Sequence, residues 1–148
     1  MHALKTEIDI TAHPDTVWGI LTDFAAYPKW NPFICAISGG LTPGSRLSIQ
    51  LRPPGGKTIT VRPTLLAAEP GREFRWRGRF LIPGLFTGEH FFRLERMHQG
   101  NTRLVHGELF SGLLVKPMQS FLNGATREGF IAMNEALKQR AEDQTGSR

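Results

Sequence analysis

The chain has 148 residues, with 18 Lys+Arg against 13 Asp+Glu for a formal charge of +5, and 40% of it is hydrophobic. That length suits one domain whose core needs no disulfides or metal staples. The single cysteine, Cys35, excludes an intramolecular bridge and a Cys-type zinc finger, and it fits a reducing compartment.

The opening Met1-His2-Ala3-Leu4-Lys5-Thr6-Glu7 carries an acid early and no continuous apolar stretch, so it does not read as a signal peptide. No apolar run approaches the ~18 residues of a membrane span. A cytoplasmic protein without integral membrane association is therefore expected. The basic residues are dispersed, their tightest group being Arg72, Arg75, Arg77 and Arg79. Mild basicity of this kind does not indicate a nucleic-acid partner.

In chain order, Leu4 to Thr11 alternates Leu4, Thr6, Ile8 and Ile10 against Lys5, Glu7 and Asp9, which predicts a strand with one wet face. Pro14 suits a first helical turn, and Val17, Trp18, Ile20, Leu21 and Phe24 follow at helical spacing. Pro28 and Pro32 then limit the next helix to about one turn. From Phe33 to Gly112, five or six strands are predicted between turn residues. The segments are Arg46 to Arg52, Thr58 to Leu66, Phe74 to Phe80, Thr87 to Arg96 and Thr102 to Phe110. After Pro117 the period changes, and Met118, Leu122, Ala125, Gly129, Met133 and Leu137 mark one stripe of a helix to about Arg140. Hairpin-linked strands and one long apolar-faced helix predict an α+β domain with an antiparallel sheet. Residues 1–143 form that single domain, and 144–148 are expected to fray.

Two segments carry a family resemblance: Ala12-His13-Pro14-Asp15-Thr16-Val17-Trp18 with Leu21-Thr22-Asp23-Phe24, and Tyr27-Pro28-Lys29-Trp30-Asn31-Pro32-Phe33. Gly88-Glu89-His90-Phe91-Phe92 and Asn101 to Glu108 add the last two strands. Together they resemble the helix-grip proteins of the START/polyketide-cyclase (SRPBCC) superfamily over nearly the whole chain. The resemblance implies a curved antiparallel sheet wrapped around a long C-terminal helix, with two short helices after the first strand. It also implies an apolar cavity between sheet and helix, used in that family for lipids, sterols and polyketides. Membership alone does not choose among these ligands.

Within such a fold, alternate strand residues line the cavity. Phe74, Trp76, Gly78 and Phe80 form the apolar side of one strand, which turns Arg75, Arg77 and Arg79 to water. If Phe92, Leu104 and Phe110 face inward, then His90, His106 and Glu108 enter the cavity too, although Val105 and Leu109 compete for that side. The expected ligand-binding set is Trp76, Phe80, His90, Phe92, Leu104, His106, Glu108, Phe110, Leu122, Ala125 and Met133. Two imidazoles and a carboxylate suffice for acid/base work, with His90 or His106 as base and Glu108 orienting it. Equally, they can satisfy one another while the cavity merely holds a ligand.

No cofactor is called for, and no metal: His90 and His106 sit on separate strands, and neither HxH nor HExxH occurs. Pro53 to Thr58 ends in Gly-Lys-Thr without phosphate-loop spacing, and neither Cys35 nor Ser120 has an activating context. The partner read from the sequence is a hydrophobic or amphipathic small molecule, with a homodimer left open. Two other functions stay in view: a polyketide cyclase/aromatase-type enzyme, and a protein-interaction module using an outer arginine face of Arg75, Arg77, Arg79, Arg93 and Arg103.

Overall fold

The computed structural model describes residues 1–80 and 82–146. Strand β1 (His2–Ile10) opens the chain, followed by α1 (Pro14–Thr22), a 3-10 turn (Phe24–Ala26) and α2 (Tyr27–Trp30). Seven further strands follow: β2 (Ile34–Ser38), β3 (Ser48–Leu51), β4 (Ile59–Val61), β5 (Thr64–Glu69), β6 (Glu73–Phe80), β7 (Phe86–Arg96) and β8 (Thr102–Ser111). Helix α3 (Val115–Phe121) then runs through a π-turn (Leu122–Thr126) into α4 (Arg127–Gly146).

The strands form two antiparallel sheets, one of order β1-β8-β7-β6-β5 and a smaller one of order β2-β3-β4. The single strand expected over Thr58 to Leu66 is two strands, one in each sheet. Pro63 divides them, because it lacks an N–H and cannot continue a ladder. Its carbonyl instead accepts from Leu47 N at 2.8 Å, and Arg46 bridges to Thr64, so this crossing stitches the sheets together.

The recognisable N-terminal segment is structural. His13 caps α1 by accepting from Asp15 N, and the Tyr27 hydroxyl donates to the Leu21 carbonyl at 2.7 Å. Asn31 Oδ1 accepts from both Phe33 N and Ile34 N, which turns the chain out of α2 into β2.

Helix α4 lies against β1 and α1 and closes the sheet's inner face. Leu122, Thr126, Phe130, Met133, Leu137 and Ala141 are its buried row together with the π-turn. The wider π-turn brings Thr126 inward after Leu122, where the regular stripe predicted Ala125. Gly129 sits directly beneath the Phe33 ring, which occupies the space a Cβ would take. The helix continues through Gly146, past the start of the expected fray at residue 144; Ser147 and Arg148 lie outside the described residues.

Candidate functional site

Strand alternation delivers one row of side chains from each of β6, β7 and β8 to the inner face. At one end of that face the rows are bulky and closed: Phe74 and Trp76 on β6, Phe92 and Leu94 on β7, Leu104 and His106 on β8. At the other end β6 and β7 contribute the paired glycines Gly78 and Gly88, and the floor drops away. A cavity of about 290 Å³ fills the gap. Trp76, Phe80, Phe86, His90, Glu108 and Phe110 form its floor, while Ile49, Leu51, Ile59 and Val61 of the small sheet form one wall. Leu114, Met118, Leu122 and Thr126 roof it. Ile59 and Phe121 line the cavity and are also 48% and 44% exposed, which marks its mouth.

This wall differs from the expected set at five positions. Phe92, Leu104 and Met133 are wholly buried in the closed core, because α4 covers that end of the face. Ala125 is displaced by Thr126 through the π-turn. His106 lies behind His90, its ring held between Phe130 at 4.2 Å and Phe92 at 4.3 Å. Trp76, Phe80, His90, Glu108, Phe110 and Leu122 stand on the cavity wall.

His90, His106 and Glu108 come together. His90 and Glu108 face each other across β7 and β8, and His90 Nδ1 lies 3.2 Å from Glu108 Oε1. His90 Nε2 lies 2.7 Å from His106 Nε2, and His106 Nδ1 lies 2.7 Å from Asn134 Oδ1. Asn134 Nδ2 donates to Thr6 Oγ1 at 2.8 Å, and Thr6 Oγ1 donates to the His106 carbonyl at 2.7 Å. The two imidazoles thus bond each other instead of converging on a shared point.

Every proton in this chain is placed by one fixed end. A carbonyl can only accept, so the single Thr6 proton goes to His106 O, and Asn134 must present its NH2 to Thr6. Asn134 Oδ1 then accepts from His106 Nδ1–H, which leaves His106 Nε2 bare. His90 must donate from Nε2, so in its neutral form Nδ1 is bare as well. A bare Nδ1 facing Glu108 Oε1 requires the carboxyl to bring the proton.

Electrostatics agree with the geometry. Burial raises the Glu108 carboxyl from 4.5 to about 8 and depresses His90 from 6.5 to about 3. His106 is held well below 6.5, first by burial, then by nearby His90, against the opposing bond to Asn134. Near neutral pH this is a carboxylic acid beside two neutral imidazoles. Trp76 stacks on His90 at 4.7 Å, and Gly88 leaves the space into which Glu108 Oε2 fits. Oε2 has no hydrogen-bond partner among the described residues.

Sequence reasoning placed Thr6 inward but gave it no role, and it missed Asn134 and Phe130. The available signal for Asn134 was a polar residue flanked by Met133 and Leu137 on a buried helical row, where an amide needs a partner.

The outer arginine face divides. Arg75 bonds Glu89 at 2.7 Å and Glu73 at 3.3 Å, Arg93 bonds Glu95, and Arg103 bonds Asp9 at 2.9 Å. Arg77 and Arg79 instead join Arg46, Arg62 and Thr64 around a shallow hollow, with no acidic partner among the described residues. Cys35 is half-buried, its Sγ 3.5 Å from the Gln50 carbonyl. No described helix is long and apolar enough to cross a membrane.

Comparison with solved structures places the fold. The Zhui aromatase/cyclase from Streptomyces sp. R1128 superimposes with a TM-score of 0.80 at 16% identity, covering 97% of this chain and 95% of that one. Protein MLL2253 from Mesorhizobium loti gives 0.70 at 22% identity over 97% and 98%. Ara h 8.0201 gives 0.61 at 16% identity over 92% and 97%. At these identities the likeness is one of fold: a helix-grip sheet closed by a long C-terminal helix. No curated protein matches the sequence. The sequence profile described as "Polyketide cyclase / dehydrase and lipid transport" matches residues 1–142. It spans the first strand, the Tyr27 to Phe33 turn, the cavity wall and most of α4, and this chain belongs to that family.

Proposed function

We propose that this protein binds a hydrophobic or amphipathic small molecule in the cavity beneath α3. The observation that carries the reading is the cavity itself. Its volume lies just below the usual range of ligand sites (roughly 300–1,000 Å³), and among the described residues its lining is apolar except for His90, Glu108 and Thr126. An apolar mouth at Ile59 and Phe121 gives such a molecule a way in. Native mass spectrometry of the purified protein, followed by extraction, tests this directly. A co-purified or added apolar compound that raises the melting temperature is expected. Failure of every apolar compound, alongside a protein that remains folded, would overturn the reading.

The hydrogen bond between Glu108 and His90 at the wall favours a second reading, a polyketide cyclase-type enzyme. Here the roles in the expected acid/base group reverse, because both nitrogens of each imidazole are engaged while Glu108 keeps a free oxygen. A proton leaving a carbon between two carbonyls passes to Glu108 Oε2 as the Oε1 proton moves to His90 Nδ1. The carbanion attacks a second carbonyl of the same molecule, forming a C–C bond; the resulting alkoxide takes the Oε2 proton while His90 Nδ1 returns its proton to Oε1, which restores the neutral acid and the neutral imidazole. The step balances without a co-reactant. An enzyme of this kind loses turnover in Glu108→Gln while still binding substrate; unchanged turnover excludes the reading.

A further inference from the structure

Resting on the ligand-binding reading, we propose that the cavity selects molecules whose inner end donates a hydrogen bond, a phenol or alcohol hydroxyl, and that Glu108 Oε2 is the atom that accepts it. The polarity of the buried chain decides this. From the Thr6 bond to a backbone carbonyl outward, each group donates in the same direction along the path: Asn134 to Thr6, His106 to Asn134, His90 to His106, Glu108 to His90. Glu108 therefore spends its only proton on His90 Nδ1. What it has left at the cavity is the carbonyl-type oxygen, which can only accept.

A ketone or ether oxygen arriving there would meet another acceptor. A carboxylate or phosphate would meet one too, with no Arg or Lys on the cavity wall among the described residues to offset its charge. A hydroxyl completes the chain, and bonds aligned in one direction polarise one another, so the last one is strengthened by those behind it. Thr126 is the hydroxyl-bearing residue among the described residues of the wall, and none of the chain's hydrogen bonds includes it.

The test compares three naphthalenes that differ at one substituent: 2-naphthol, 2-methoxynaphthalene and 2-naphthoate. Each is titrated by fluorescence or calorimetry near neutral pH against the unaltered protein. Naphthol is expected to bind roughly tenfold more tightly than the methyl ether, the size of one net hydrogen bond, and naphthoate more weakly than either. Glu108→Leu brings naphthol and the ether within about threefold of each other. Glu108→Gln restores the preference, since its NH2 donates to His90 and its oxygen accepts from the ligand, as the neutral acid does.

Equal binding of naphthol and ether, or tightest binding of naphthoate, overturns the inference while leaving the cavity as a ligand site. A folded Glu108→Gln that has lost the preference does the same. Binding of none of the three overturns this inference, and the ligand reading falls with it only if every other apolar compound fails as well. The comparison on the unaltered protein requires no variant to fold.

Discussion

The inner face of the large sheet is core at one end and binding wall at the other, and the same three strands make both. Toward Phe74, Phe92 and Leu104 the residues interlock beneath α1, the 3-10 turn and α4, with Trp18 and Phe24 against Phe74 and ring centroids of Phe74 and Phe92 6.1 Å apart. Toward Gly78, Gly88 and Glu108 the floor is low, with the Glu108 carboxyl lying in the space a Gly88 side chain would take, and α3 roofs the hollow without filling it. The difference shows that a pocket in this fold needs no special strand. It needs small residues at adjacent positions and a covering helix that stands off. The polar chain runs across the boundary, with His106 in the closed half and Glu108 in the open half.

The largest contrast is expected from matched truncations in the two halves. Phe130→Ala removes the ring against His106 and should cost about 3–5 kcal/mol in denaturant unfolding. Phe80→Ala, on the half-buried cavity wall, should cost about 1–2 kcal/mol. Equal costs would mean that the two halves are packed alike.

Next in size is Asn134→Leu, which strands the His106 Nδ1–H in an apolar site and should cost about 2–3 kcal/mol. Imidazole nitrogen shifts measured by NMR read the same event. The native protein should show His106 protonated at Nδ1 and His90 at Nε2, and the variant should release the His106 preference.

A pH series sharpens the comparison at its boundary. Between 4.5 and about 8, folded Glu108 keeps a proton that the unfolded chain has released, so its contribution to stability falls as pH rises through that window. His90 works from the other side. Between about 3 and 6.5 the unfolded chain binds a proton that the folded imidazole refuses, so stability falls as pH drops, and His106 adds in the same direction. The two imidazoles outweigh the carboxyl below about 6.5, and above it their effect fades over about one pH unit and leaves the carboxyl dominant. Melting temperature should therefore decline from about pH 7 to 8 in the native protein and show no decline over that range in Glu108→Gln. A decline that survives the substitution would place the titrating group elsewhere.

The smallest effect belongs to the outer face. Arg77→Glu should change stability by less than about 0.5 kcal/mol and leave naphthol binding unaltered, since Arg77 is exposed and has no partner among the described residues. A larger loss of naphthol affinity would show that the outer face and the cavity communicate.

What could be read from the sequence follows from how local each rule is. A strand's period of two put Trp76, His90, His106 and Glu108 on one face, and the Tyr27 to Phe33 motif carried the family. Whether an inward apolar residue such as Phe92 or Leu104 is core or wall depends on which helix segment covers it, and alternation holds no such information. The Ala125 to Thr126 exchange arises from a π-turn, a departure from the regular spacing on which the stripe was read. The split of Thr58 to Leu66 was signalled by Pro63, whose missing N–H counts against an uninterrupted strand. Likewise the arginines separate into paired and unpaired groups through cross-strand neighbours such as Glu89, which sequence order does not reveal.

The bond from Asn134 to Thr6 joins residues 128 positions apart. During synthesis the ribosome therefore releases the carboxyl and both imidazoles well before the amide that orients them. Until α4 emerges and docks on β1, His106 has no acceptor for its Nδ1 proton, and nothing sets the direction in which the chain of donors runs. On the proposed reading, discrimination between hydroxyl and ether therefore depends on α4 being docked on β1, and a chain in which that docking is lost would hold the pocket's residues without a set chemical preference.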